Sequence, residues 1–224
     1  KEWDFLAKQF EEAYAMKDHL THVSPCVQNR NLPYTPVAPS DTMQNEPDTD
    51  FDLSQNQEWV RRIFAKWKKS GTEEPEIIPL QIGAETVVCK NRYKYLDRCQ
   101  NDEVCICEMS QADSAQVEKI IEIAETDPAG WRKTTLEERH RIMYEAANRL
   151  ADMRGDLIGC MCAVTGKTVI EGDVEVSEAV DYARFYTTAM KKFAALDDIE
   201  IKPKGTILVI SPWNFPCAIP VGGI

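Results

Sequence analysis

"ILVISPWNFP", residues 207–216, decides how this chain reads. Four consecutive aliphatic residues, Ile207 to Ile210, describe a strand buried on both faces, the habit of a parallel sheet covered by helices. Pro212 has no N–H to give to a ladder, so the strand must end there, and Pro216 fixes φ for the turn into the next helix. Ser211, Trp213, Asn214 and Phe215 are thereby held on a stiffened turn at the carboxyl end of a strand, where open α/β sheets bind their ligands. Two readings of Asn214 stand side by side. Its amide can donate hydrogen bonds without carrying charge, which suits a developing oxyanion; equally, asparagine tightens turns by bonding to nearby backbone.

Upstream of this turn the pattern is helical. Val176, Val180, Ala183, Tyr186, Met190 and Phe193 recur on one stripe, which predicts a long helix from Asp173 to about Leu196. A shorter helix is expected over Asp156 to Val164. Thr135 with Glu138 caps one carrying Ile142, Ala146 and Leu150, and Asp113 caps one carrying Val117, Ile120, Ile121 and Ala124. Between Ile77 and Met109, β-rich runs at Glu85–Cys89, Arg92–Leu96 and Val104–Glu108 are broken by polar turns, which predicts a small antiparallel ribbon. Ser54 and Gln57 form an S-x-x-Q capping box ahead of a helix over about 55–69 with a basic outer face. Residues 24–50, crowded with Pro, Asn, Asp and Ser, read as an extended linker between two bodies. Before it, Trp3, Leu6, Phe10, Ala13 and Tyr14 mark an amphipathic helix whose abrupt start suggests that Lys1 is not the natural beginning.

With 224 residues, 43% of them hydrophobic, the chain can bury a sizeable core. A net charge of −11 argues against nucleic acid and anionic membrane as partners. No apolar run approaches the ~20 residues that cross a bilayer, and the first residues lack the organisation of a signal peptide, so the protein reads as cytoplasmic. The eight cysteines, Cys26, Cys89, Cys99, Cys105, Cys107, Cys160, Cys162 and Cys217, sit in a chain too large and aliphatic for a disulfide scaffold. Most read as reduced core residues. Cys105 and Cys107 share one face of a strand, with Cys89 and Cys99 near in sequence; a zinc site is the alternative, although the usual ligand loops are missing.

The stretch from Ile207 to Gly223, "ILVISPWNFPCAIPVGG", closely resembles the signature with which the NAD(P)-dependent aldehyde dehydrogenase superfamily enters its cofactor-binding fold. The similarity extends upstream through "AGWRKTTLEERHRIMYEAANRLADMRGDLIGCMCAVTGKTVIEGDVEVSEAVDYARFY" and covers about Ser110 to Ile224. "TGKT", "EAVDYARFY" and "NEPDTDF" most resemble the L-glutamate γ-semialdehyde dehydrogenase half of bifunctional proline utilization proteins, in which a proline dehydrogenase domain with FAD precedes this half. The implied fold class is α/β: helices and a small antiparallel ribbon leading into the first strand of a Rossmann-like parallel sheet. Residues 53–224 would form this portion, preceded by a linker over 21–52 and a helix over 1–20 that ends the preceding domain or connector.

By this resemblance Asn214 would donate to the substrate oxygen while a cysteine thiolate adds to the aldehyde. Ile210, Ser211, Pro212 and Trp213 would line the nicotinamide and ribose side of NAD, largely through backbone. Phe215 would wall the aldehyde pocket, or be plain core; Glu178 would be a pocket carboxylate, or a solvated helix residue. The nucleophilic cysteine, general-base glutamate and ribose-binding lysine of the superfamily lie downstream of the PWNFP segment, so this chain reads as a portion of a larger enzyme, inactive alone. Cys217, three residues after Asn214, stands where relatives carry an ordinary apolar residue and is not expected to be the nucleophile. "DDIEIKPKG" is shorter than the hairpin through which many relatives associate, leaving oligomer contacts to other parts. Two rivals remain: an aldehyde dehydrogenase of another branch, and a non-catalytic helical interaction domain whose cysteines bind zinc or nothing.

Overall fold

A computed structural model describes residues 2–19, 26–68, 74–97, 100 and 104–224. In chain order it contains α1 (Glu2–Ala15), α2 (Ser54–Trp67), β1 (Glu76–Ile78), β2 (Leu80–Ile82), β3 (Glu85–Val87), β4 (Arg92–Leu96) and β5 (Cys105–Ser110). Then follow α3 (Ser114–Thr126), α4 (Leu136–Asp152), α5 (Arg154–Thr165), α6 (Val169–Ala194) and α7 (Ala218–Gly223).

The core forms around α6. Val176, Ala179, Val180 and Ala183 recur at helical spacing and are fully buried against Ala147 and Ala151 of α4 and Ile158, Met161 and Cys162 of α5. Alanines on facing turns let the helix axes approach, and each fully enclosed aliphatic side chain adds about 1.5–3 kcal/mol. α2 joins this core by laying Trp67 across Gly159, where an added Cβ would meet the indole at 2.1 Å. Tyr186 and Phe193, expected on the core stripe, stay exposed on the C-terminal half of α6.

Three helices start with reciprocal capping boxes: Asp113 with Gln116, Thr135 with Glu138, and Thr168 with Glu171. The third starts α6 four residues before the expected Asp173. The box expected at Ser54 and Gln57 does not form. Leu53 occupies the N-cap, Ser54 is already helical, and Gln57 Nε2 donates instead to the carbonyl of Phe51 at 3.0 Å.

The small sheet is mixed, not an antiparallel ribbon throughout. β2 and β3 form a hairpin, and β4 pairs antiparallel with β5, but β1 lies parallel to β5 with Glu76 opposite Cys107. Pro79 separates β1 from β2, so β1 cannot continue into the hairpin and pairs with the far strand instead. Along β5, Ile106 is buried and Cys105 and Cys107 lie half-buried on the other face. Cys89 Sγ meets the Gln116 amide at 3.3 Å. Among the described residues no group of His, Cys, Asp or Glu converges as a metal site; Cys99 lies outside them.

Residues 26–50, expected as a spacer, form neither helix nor strand but pack along the helices as a strap. A chain without ladder partners must satisfy its backbone elsewhere, and here helix side chains do so. Asn148 of α4 bonds both the N–H and the carbonyl of Val37. On α6, Asp181 accepts from Asn45 Nδ2 and the Glu46 N–H, and Asp173 accepts from the N–H and hydroxyl of Thr49. The α1 helix forms as its periodicity predicts, yet Trp3, Leu6, Phe10 and Tyr14 all remain exposed.

The expected strand at Ile207–Ile210 is the clearest departure. The run forms no ladder, and Ile207, Leu208 and Ile210 are exposed. A strand needs a hydrogen-bonded neighbour, and among the described residues no strand pairs with this run; Val209 packs instead against Gly223 of α7, where an added Cβ would meet its Cγ1 at 2.6 Å.

Candidate active site

Two turns meet beside the N-terminal half of α6. One is "TGKT": α5 ends on Gly166, whose φ of 72° is left-handed, so the chain reverses within three residues and presents Lys167 before Thr168 caps α6. The other is the Trp213–Pro216 turn, which leads through Cys217 into α7. Between them lies a cleft of about 520 Å³ lined by Thr165, Gly166, Lys167, Ile170, Glu171, Val174, Trp213, Asn214 and Phe215. Trp213 also faces a second cleft of about 610 Å³, on whose other side stand Tyr93, Tyr95 and Leu96 of β4.

Of the seven residues singled out from sequence, Trp213, Asn214 and Phe215 come together in the first cleft. Ile210, Ser211 and Pro212 form the approach to it, with Ile210 and Pro212 exposed. Glu178 is exposed on α6, one turn beyond Val174 and outside the cleft lining; its charge is the main reason the Tyr182 phenol is pushed upward. Among the described residues the Asn214 side chain makes no hydrogen bond, so its amide is not spent on closing the turn.

Sequence reasoning missed the residues that fasten the turn. Glu175, with 1% of its side chain exposed, pairs through Oε2 with Lys167 Nζ. Through Oε1 it accepts the N–H of Cys217 at 2.7 Å and of Ala218 at 3.1 Å. Lys167 Nζ in turn sits 4.1 Å from the centroid of the Phe215 ring. A buried carboxylate is tolerated only when paired and bonded, and this one is both. Its signal was present: Glu175 falls between Gly172, Val176 and Ala179 on the buried face of α6, where a carboxylate needs a reason.

Cys217 is not built as a nucleophile. Burial, then the neighbouring Glu175 carboxylate, pushes its thiol up to about 11, so only about one molecule in a thousand carries the thiolate at pH 8. In the native protein, iodoacetamide at pH 8 is expected to modify exposed Cys26 while leaving Cys217 intact until denaturant is added. Peptide mapping by mass spectrometry checks this, and early labelling of Cys217 would contradict the burial.

The fold and turn just described match one family: the Aldehyde dehydrogenase family profile fits residues 89–224, and the chain belongs to that family. Over 190 residues it is 30% identical to the 1-pyrroline-5-carboxylate dehydrogenase of Geobacillus sp. (strain WCH70), covering 80% of this chain and 36% of that protein. A 1-pyrroline-5-carboxylate dehydrogenase from Thermus, solved with bound NAD, superposes with a TM-score of 0.69 at 24% identity, over 81% of this chain and 36% of that one. Proline utilization A from Bdellovibrio bacteriovorus, inactivated by N-propargylglycine, superposes with a TM-score of 0.69 at 22% identity over 92% of this chain and 21% of that one. The chain thus spans about a third of the length of the curated relatives it matches. Among the described residues no helix is long and apolar enough to cross a membrane.

Proposed function

We propose that this chain is the entry portion of an NAD-dependent dehydrogenase that oxidises L-glutamate γ-semialdehyde, the open form of 1-pyrroline-5-carboxylate, to glutamate. The observation that carries the reading is Asn214: an unengaged amide on a turn fixed by Pro212 and Pro216, opening on a cleft beside Trp213 and Phe215. Relatives named for this activity support the substrate class.

In this reading a cysteine thiolate elsewhere in the full-length protein adds to the aldehyde carbon. The Asn214 amide donates to the oxygen as it gains charge, which lowers the barrier because the donor is already in place. Trp213 and Phe215 wall the reacting carbon from water, and Glu178, one turn above the cleft, would approach the substrate's amino acid end. Bound NAD supplies the hydride acceptor. The Ile210–Trp213 backbone fits it, since this run is largely exposed and without ladder partners, leaving its N–H and carbonyl groups for the nicotinamide and ribose. FAD enters only where a proline dehydrogenase domain precedes this segment. We place the protein in the cytoplasm and assign any oligomer contacts to parts outside this chain.

The test is NADH formation by the longest natural chain containing this segment, offered glutamate γ-semialdehyde beside simple aliphatic aldehydes. At least a hundredfold preference in kcat/KM for the semialdehyde is expected; equal use of propanal would leave an aldehyde dehydrogenase of another branch.

A further inference from the structure

We infer that Glu175 is a positioning residue for the Asn214 turn, acting with Lys167 as a clamp that sets where the Asn214 amide points. The inference rests on the reading of Asn214 as oxyanion donor. Glu175 lies nearly two turns inside α6, the most deeply packed helix of the molecule, and its carboxylate is shielded from solvent. From that fixed point Oε1 takes the two consecutive N–H groups of Cys217 and Ala218, at 2.7 and 3.1 Å. These lie three and four residues after Asn214, on the far side of Pro216, so the downstream end of the turn is tied to α6. Oε2 holds Lys167, whose ammonium rests 4.1 Å from the Phe215 ring and fixes the side chain next to Asn214.

Both arms converge on one short segment, and no other ion pair among the described residues reaches it. A donor misplaced by about 1 Å can cost up to a hundredfold in rate. Gln at 175 would keep one acceptor but turn an NH2 toward the Lys167 ammonium, donor against donor, so the clamp would open without leaving a cavity.

The experiment is a double-mutant cycle in the longest natural chain, measuring aldehyde oxidation by Glu175→Gln and Asn214→Ala singly and together. Glu175→Gln alone should lower kcat about tenfold, with KM for NAD changed less than about twofold. In the Asn214→Ala background the same change should cost less than about twofold, because a clamp has nothing left to aim. Equal tenfold losses in both backgrounds would mean that Glu175 acts independently of Asn214, and the inference would fall while the role of Asn214 stood. Full activity in Asn214→Ala by itself would remove the reading of Asn214 and the clamp with it. If Glu175→Gln does not fold, Lys167→Met in the same cycle opens the other arm, with a several-fold loss expected and the same non-additivity deciding.

Discussion

Alanine at position 214 in the full-length protein should lower kcat for aldehyde oxidation by about a hundred- to a thousandfold, the usual cost of removing one preorganised oxyanion donor. The loss should fall on kcat and kcat/KM together while KM for NAD holds, because in the proposed role the amide would donate to an oxygen that becomes charged only as the reaction proceeds. Stability should barely change. Asn214 is exposed and its side chain bonds nothing among the described residues, so truncation removes neither packing nor a turn contact. Asn214→Asp sharpens the comparison: it keeps the shape but sets a carboxylate against the growing negative charge, and should be at least as damaging as alanine. Steady-state kinetics with a thermal melt of each variant measure both halves. A kcat within threefold of the unaltered protein would return Asn214 to the status of an ordinary turn residue.

That the Asn214 turn could be read from sequence follows from its locality. Pro212 and Pro216 constrain the backbone around Asn214 directly, and the capping boxes at Asp113 and Thr135 act over three residues. Glu171 offers the same signal three residues after Thr168 and marks the true start of α6. Features that depend on distant partners were not legible. Nothing near Glu46, Asp173 or Arg184 in sequence announces that they meet, since Glu46 and Arg184 stand 138 residues apart. β1 could be recognised as β-forming, but its parallel pairing with β5 depends on where the chain returns after the hairpin. The apolar run Ile207–Ile210 predicts a strand buried on both faces, but periodicity could not supply the neighbouring strand that would pair with it and cover it. Glu175 lies between these cases. Its helical phase marked it as buried, whereas its partners at 217 and 218 required the fold.

The strap gives the second large effect. Replacement of Asp173 by alanine should destabilise the protein by about 3–5 kcal/mol, as expected when one member of a buried ion-pair network is removed and the others are left behind. Asp173 is fully buried and accepts from the Thr49 N–H at 2.6 Å, the Thr49 hydroxyl at 2.5 Å and Arg154 Nη1 at 2.8 Å. Arg154 is itself buried, and its Nε already has no hydrogen-bond partner. Without Asp173 its charge is answered chiefly by Glu46, at 3.5 Å and shared with Arg184. The strap also loses its fastening at Thr49, so amide exchange over residues 40–50 should rise before that of α4 to α6. Glu58→Ala is the control: its pair with Arg61 is more than half exposed on both sides, and losing it should cost less than about 1 kcal/mol. Adding Arg154→Met to Asp173→Ala should recover part of the loss, because an uncompensated buried guanidinium is the costliest remnant of the single change. Urea unfolding followed by tryptophan fluorescence reads all of these. If Asp173→Ala fell within 1 kcal/mol of the unaltered protein, the network would be a surface feature in energetic terms and the strap would be held by its other contacts, chiefly those to Asn148 and Asp181.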